Sequence, residues 1–329
     1  MNLDAAPSKL DLPDPNDPAA CSAWLQTRYM KSDRDADFQD ALMEVLETDS
    51  QGHLTAMPLR VGLSRETRGL MVLGPSGSGK NSMVTRNLSK IEAIGLTTRV
   101  EDGPGAALYQ LVDSEATMKS FAIGIANATG YPKVKDNIRT ADAWDLAIHR
   151  LALSKKTILW IDEPHHLLAP GAGRDPKTVL RRLKGLMQGP NAVTLILTGV
   201  PELYEMILSD NETDRRFIYM NLRSVRGKSE VSKLGSYLDL CCEKVGILPI
   251  EDDSFLDRLL MANNHNLGRS IEMTMKAIRR AHRRPERKLS LEDFRRCLQL
   301  ENSRIDVGPF EDMDWAVLRP ELEKHGWVP

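Results

Sequence analysis

The sequence predicts an α/β fold of the P-loop type: a parallel five-stranded sheet flanked by helices, followed by a small all-helical domain. Three observations carry that expectation. Strand-sized apolar runs alternate with helix-spaced segments between Gly69 and Leu222, the pattern of a mainly parallel sheet covered on both faces. The first run enters a glycine-rich turn, Gly74-Pro-Ser-Gly-Ser-Gly79-Lys80-Asn81, which opens a helix-spaced segment. From Lys228 onward only helical spacing is found.

Taken in order, the first 20 residues hold four prolines (Pro7, Pro13, Pro15, Pro18) and four aspartates, the composition of a flexible or loosely docked leader. Apolar spacing at Trp24, Leu25 and Tyr29, then at Phe38, Leu42, Val45 and Leu46, predicts two short amphipathic helices. Gly69–Leu73 reads as the first buried strand and Met83–Ile94 as the helix after it. Ala106–Val112 is the second strand, followed by helices over Met118–Ala128 and Ala141–Ser154. Thr157–Asp162 is the third strand, Val179–Met187 a helix, Val193–Thr198 the fourth strand and Phe217–Leu222 the fifth. Helices are then expected over Val231–Val245, Asp253–Ala262, Leu267–Arg284 and Leu291–Leu300, the last capped by Ser290 with Asp293. The remaining stretch, Ile305–Pro329, carries Phe310, Trp315 and Trp327 among acids and reads as a docking tail. The segments expected are therefore an acidic leader with N-terminal helices (1–50), an α/β domain (51–226), a helical domain (227–303) and a tail (304–329).

Of the 329 residues, 41% are apolar and 27% charged, which excludes a collagenous, disulfide-dense or wholly disordered chain. The longest apolar runs are strand-sized, far short of the roughly 18 residues of a membrane span. The net charge of −2 argues on its face against nucleic acid, but it conceals a dipole. Residues 1–50 carry eleven acids and four bases, whereas residues 269–288 carry eight bases and two acids. The four cysteines (Cys21, Cys241, Cys242, Cys297) match no zinc spacing, and the start lacks the basic and apolar regions of a secretory signal. A cytoplasmic protein with reduced thiols is expected.

Gly74 to Lys80 satisfies the glycine and lysine positions of G-x-x-x-x-G-K-[ST] in the strand–turn–helix setting that the motif needs. Its glycines let backbone N–H groups converge on phosphate oxygens at a helix N-terminus, and Lys80 would reach the β- and γ-phosphates. The candidate nucleotide-binding residues are thus Gly74, Pro75, Ser76, Gly77, Ser78, Gly79, Lys80, Asn81 and Ser82, with ATP and Mg²⁺ as the implied cofactors. The last motif position holds Asn81 in place of a hydroxyl residue. Its side-chain carbonyl is a hard oxygen able to serve Mg²⁺, but it is longer, so slow hydrolysis is expected. Thr157-Ile-Leu-Trp-Ile-Asp162-Glu163 is an apolar strand ending in two carboxylates, the Walker B pattern. Asp162 would hold Mg²⁺ through its waters, and Glu163 would orient or deprotonate the attacking water. Thr198 ends a neighbouring strand at the edge facing the nucleotide, where it could sense the γ-phosphate or the water. His165 and His166 have no Cys or His partner at metal spacing and are read as structural.

These motifs, in this order and with an arginine pair before the fifth strand and helices beyond it, resemble the AAA+ ATPases over roughly Leu59–Leu300. Within that superfamily the strings Asp162-Glu-Pro-His-His-Leu-Leu168, Leu197-Thr-Gly199 with Pro201, and Arg215-Arg216-Phe217 resemble the TniB/TnsC group of transposition ATPases. More distantly the chain is similar to MuB, IstB and the ExeA-like ATPases. The resemblance implies that Thr198 is sensor 1, that Arg215 or Arg216 is an arginine finger acting on a neighbour's γ-phosphate, and that Arg269 in Asn266-Leu-Gly-Arg269 is sensor 2 of a helical lid. It also implies a homo-oligomeric ring or filament on double-stranded DNA, with Thr117 and Lys119 at the pore, and a transposase and a target-selection adaptor as partners in a bacterial cytoplasm.

Two basic helices offer further DNA contacts. Lys177, Arg181, Arg182 and Lys184 follow Walker B, and Lys276, Arg279, Arg280, Arg283, Arg284, Arg287 and Lys288 lie in or just after a lid helix. Such clusters neutralise phosphates without sequence preference. Aromatic residues are scarce near them, which favours a duplex-backbone grip over stacking on single strands. The expected function is an ATP-dependent DNA-binding regulator of transposition that oligomerises on target DNA and recruits or activates a transposase. The alternatives are another AAA+ loader or scaffold of replication or secretion type, a nucleotide-gated scaffold with little turnover, and a P-loop kinase of small molecules.

Overall fold

The computed structural model describes residues 12–135, 137–168, 175–302 and 307–328. They fall into two units. Asp33–Ser76 and Lys80–Leu222 form the first; the residues up to Ser32, Gly77–Gly79 and those from Arg223 onward form the second. The expected boundaries at 50 and 226 are thus redrawn. The two N-terminal helices, Pro18–Gln26 and Asp33–Met43, go to different units, and the first eleven residues of the acidic leader lie outside the described residues.

The first unit is built on a parallel sheet with the strand order Phe217–Asn221, Gly69–Leu73, Thr194–Gly199, Ile158–Asp162, Ala107–Leu111, Leu96–Thr97. Every residue of Gly69–Leu73, Ile158–Asp162 and Thr194–Gly199 is buried. Helices cover both faces, which is why these strands read as continuous apolar runs and not as alternation. The five expected strands become six. The added one, Leu96–Thr97, is a two-residue edge strand paired with Ala107 and Leu108, too short to leave a pattern. Two small antiparallel pairs also went unseen in the sequence: Leu46–Thr48 with Leu54–Pro58, and Arg60–Val61 with Glu66–Thr67.

Helices pack on this sheet through one core that includes Trp144, Phe121, Leu159, Leu183 and Leu195. Two of these helices start upstream of their first expected apolar residue. Asp175 accepts from the Lys177 N–H, and Pro176 occupies the first turn of Pro176–Leu186. The helix after the glycine-rich turn begins at Lys80, three residues before Met83. That offset puts Lys80, Asn81 and Ser82 in its first turn, at the positive end of the helix dipole.

The second unit is helical: Pro18–Gln26, Lys228–Lys244, Phe255–Ala262, Leu267–Ala281, Leu291–Glu301 and Trp315–Lys324. Its core joins Leu234, Leu259, Ile278 and Phe294 to Cys21, Cys241, Cys242 and Cys297, all four cysteines being free thiols. Ser290 and Asp293 form the expected capping box, and Arg284 adds a 2.5 Å contact to the same carboxylate. Among the described residues no helix is long and apolar enough to cross a membrane.

The docking tail is corrected: its described part is packed. Phe310 is 2% exposed and lies 5.3 Å from Phe294, ring to ring. Leu318 and Leu322 of the last helix bury against Met261. Arg258, buried on Phe255–Ala262, donates to the carbonyls of Pro309, Glu311 and Met313 and stands 4.9 Å above the Trp315 ring. A buried arginine that saturates three main-chain carbonyls leaves no apolar periodicity to read. Arg258→Ala is therefore expected to lower stability by about 3 kcal/mol, since it leaves carbonyls unpaired. Urea unfolding measures the loss, and faster amide exchange over residues 309–322 locates it.

Candidate nucleotide site

Between Leu73 and Lys80 the chain turns through Gly77 at φ 77° and Gly79 at φ 87°, a region that residues with a Cβ enter only under strain. A Cβ on Gly79 would meet no atom within 4 Å, so the hollow of the loop is open at that point. Lys80 is 6% exposed, and its Nζ donates to the carbonyls of Gly74 (2.8 Å) and Pro75 (3.2 Å). Burial holds its pKa below the ordinary lysine value, against the pull of Glu163 and Asp162.

Asp162, 2% exposed, is the hub of the site. Its Oδ1 accepts from the Thr198 hydroxyl at 2.6 Å, and its Oδ2 accepts from Asn81 Nδ2 at 2.5 Å and the Tyr109 hydroxyl at 3.1 Å. Thr198 in turn accepts from Trp160 Nε1 at 2.9 Å. The parallel register pairs Asp162 with Thr198 directly. Burial, and then the charge of Asp162, raises the Tyr109 pKa, so the phenol remains a donor.

The chemistry of these donors tests the site for Mg²⁺ and a nucleotide. An ionised carboxylate only accepts, so Asn81 must offer its amide nitrogen to Asp162 and turn its carbonyl Oδ1 elsewhere. That leaves a hard oxygen in the first turn of the helix, at the position where the motif asks for one. Both oxygens of Asp162 are already engaged, which suits holding an ion through its waters. The loop, the lysine and this oxygen set fit the pair.

Glu163 follows at φ 56°, a backbone state costing about 1–3 kcal/mol, with its N–H bonded to the Thr198 carbonyl at 2.8 Å. Its Oε2 stands 3.0 Å from His165 Nδ1. Burial, then the neighbouring Asp162, raises the Glu163 pKa; burial, then His166, lowers that of His165. The two imidazoles lie 4.2 Å apart, centre to centre. These histidines have no Cys or His partner at metal spacing along the chain, but the fold brings Glu163 to them: potential ligand atoms of all three residues lie within 4.8 Å of one another.

The two candidate finger arginines part company. Arg216 is 5% exposed and ion-paired with Glu66 at 2.8 Å. It cannot reach a neighbouring molecule, and that half of the expectation is corrected. Arg215 is exposed at the C-cap of Asn211–Asp214. Phe217 pairs with Gly69, so both arginines sit at the N-terminal edge of the sheet. The glycine-rich loop leaves the opposite edge, one five-residue strand or about 13 Å away. Arg269 begins Leu267–Ala281 in the second unit, where Gly268 lies against Gly77–Gly79: a Cβ on Gly268 would come within 2.2 Å of the Gly77 carbonyl oxygen.

Of the expected DNA contacts, Thr117 is exposed and caps Met118–Ala128 through Ser120, and Lys119 is partly exposed beside it. Lys177 and Arg181 are exposed and Arg182 half-buried on Pro176–Leu186. Lys184 does not belong with them, since it is ion-paired with Asp210 and Glu212. Three cations of the lid run are neutralised within their own unit. Lys276 pairs with Glu272 and Glu301, Arg284 with Asp293 and Lys288 with Glu251, while Arg287 donates to the Pro15 carbonyl. Arg279 and Arg283 remain exposed, one turn apart. Tyr109, Trp160 and Gly268 were missed from sequence, because only strand register and loop packing reveal what they touch.

A profile of the family described as Bacterial TniB protein matches residues 52–226, more than half of the chain. No curated protein matches it. Among solved structures it is similar to the ORC1 protein of Aeropyrum pernix, determined in complex with DNA, at 17% identity and a TM-score of 0.51, over 70% of this chain and 59% of that one. It is also similar to Cdc6p of Pyrobaculum aerophilum (11% identity, TM-score 0.52, 88% and 69% covered) and to a Walker-type ATPase of Pyrococcus abyssi (11%, 0.52, 91% and 76%). At these identities the likeness is one of fold, and the chain spans less than two thirds of the Aeropyrum protein.

Thr198→Val keeps the shape of the side chain but removes both the donor to Asp162 and the acceptor for Trp160. A loss of about 1–3 kcal/mol is expected from the groups left unpaired, to be measured by urea unfolding.

Proposed function

This chain belongs to the TniB family, and on that premise we propose that it is an ATP-dependent, DNA-binding AAA+ ATPase that oligomerises on duplex DNA and presents target DNA to a transposase. The observation that carries the reading is the separation of Arg215 from the glycine-rich loop by the length of the sheet. An exposed arginine so placed serves the nucleotide of a second copy and not its own, which makes ATP a link between subunits. Arg suits the task because its planar, permanently charged fork matches phosphate oxygens.

Within one chain, the N–H groups of residues 76–82 would receive the phosphates, and Lys80 would exchange the carbonyls of Gly74 and Pro75 for phosphate oxygens. Asn81, through Oδ1, and Asp162, through the ion's waters, would hold Mg²⁺. Thr198 ties Asp162 to the strand end, Glu163 orients the attacking water, and Arg269 approaches the loop tip as sensor 2. Bound Mg²⁺ and ATP supply the cleavable anhydride and neutralise the charge developing on it. Lys177, Arg181 and Arg182, with Thr117 and Lys119, grip the DNA backbone. Hydrolysis is slow and releases the assembly, in the cytoplasm and with a target-selection adaptor as a second partner.

The turn of Glu163 toward His165, together with Asn81, favours one other reading, a nucleotide-gated scaffold with almost no turnover. Asn81→Ser separates the two: a large gain in hydrolysis supports the scaffold, whereas an unchanged or lower rate shows that Asn81 is an adequate ligand.

DNA binding measured by fluorescence anisotropy over a salt series, with and without an ATP analogue, tests the main proposal. Tight binding is expected only with nucleotide. Lys177→Ala and Arg181→Ala should each lower the slope of log K against log salt by about 1 per subunit contact removed. Binding that ignores nucleotide, or no binding, overturns the reading.

A further inference from the structure

We propose that Glu163, His165 and His166 form a site for a divalent transition-metal ion of the zinc class, and that the ion, while bound, withholds Glu163 from the nucleotide. Two imidazoles and one carboxylate suit zinc or cobalt, whereas Mg²⁺ favours oxygen throughout. A tetrahedral ion with bonds of about 2.0–2.1 Å has its ligand atoms about 3.3–3.4 Å apart. Glu163 Oε2 and His165 Nδ1 stand at 3.0 Å, and the three residues' ligand atoms lie within 4.8 Å of one another. Closing on an ion therefore takes side-chain shifts on the order of 1 Å.

The contact between Glu163 and His165 is close without being a hydrogen bond: His165 Nδ1 is a buried nitrogen that makes none. Two ligands flanking a common ion stand in that relation; a donor facing its acceptor does not. The frame is stiff. Glu163 is fixed by its N–H to the Thr198 carbonyl, and the short helix His165–Leu168 is anchored by the buried Leu167 and Leu168. All three side chains remain partly exposed.

The regulatory half of the proposal rests on the reading of Glu163 as the residue that orients water; the binding half does not. With the ion in place, nucleotide and DNA would still bind while turnover stops, so the metal holds the assembled state.

Zn²⁺ titration of the full chain without nucleotide, with Co²⁺ absorption as the optical readout, tests the site directly. Wild type should bind one ion and give the intense visible bands of tetrahedral cobalt. His166→Ala should weaken binding at least tenfold, and His166→Gln should do the same with less change in packing. Lys80→Ala should leave metal binding intact, which separates this site from that of Mg²⁺. Zn²⁺ should then slow ATP hydrolysis by wild type and spare His166→Ala. Absence of binding, or equal binding by wild type and both His166 variants, overturns the metal site whatever the ATPase does. Binding without an effect on turnover overturns the regulatory half. A wild type that binds zinc but never hydrolyses ATP contradicts the proposed ATPase and leaves the metal site standing.

Discussion

The carboxylate of Asp162 is almost wholly removed from water, and the side chains that compensate it stand on three other elements. Asn81 comes from the helix after the glycine-rich loop, Tyr109 from one adjacent strand and Thr198 from the other. A buried charge is tolerated only when its hydrogen bonds are complete, so the position of each of those elements is bound to the others through one residue. The consequence reaches the loop. Because the amide nitrogen of Asn81 is committed to Asp162, its side-chain oxygen is left for another partner at the position where the motif usually has a hydroxyl. The same network fixes the strand end from which Glu163 leaves, so its carboxylate and the neighbouring histidines inherit their placement from Asp162.

A parallel sheet also gives this unit two chemically different edges. The C-terminal ends of the strands gather the loop, Asp162 and Thr198, while the N-terminal ends carry Glu66, Arg215 and Arg216. Pairing Arg216 with Glu66 compensates its charge inside the fold and leaves Arg215 as the exposed member of the pair. The charge distribution follows the same economy. Three of the seven cations of the lid run, Lys276, Arg284 and Lys288, pair with acids of their own unit, so the local excess of positive charge is reduced at the surface. What remains outward is modest on a single chain, and a firm grip on DNA would come from many copies in register.

The sequence made the nucleotide edge legible because its signals are local: a loop motif of eight residues, an apolar strand ending in two acids, and helices with clear apolar spacing. Met118–Ala128 falls where its spacing places it, and the Ser290–Asp293 cap is where its residue types place it. The parts that escaped are those decided by partners distant in the chain. Leu96–Thr97 is a strand only because Ala107 and Leu108 lie beside it. Tyr109 joins the site through register, and Arg215 differs from Arg216 only by the presence of Glu66. The C-terminal segment is held by Arg258, a charged residue that no hydrophobic pattern would single out. His165 and His166 were judged by their spacing to other histidines and cysteines, whereas their neighbour in space is the adjacent acid, turned back on them by a left-handed residue.

The central claim is that nucleotide bound by one chain is completed by an arginine of another, and mixing two inactive variants tests it most directly. Lys80→Ala loses the phosphate grip but keeps Arg215; Arg215→Ala keeps the grip but loses the finger. The account predicts that each alone has little DNA-stimulated ATPase activity, and that an equimolar mixture recovers a clear fraction of the wild-type rate at subunit contacts joining an intact loop to an intact finger. A mixture no more active than its components, or an Arg215→Ala variant with full turnover by itself, would contradict it.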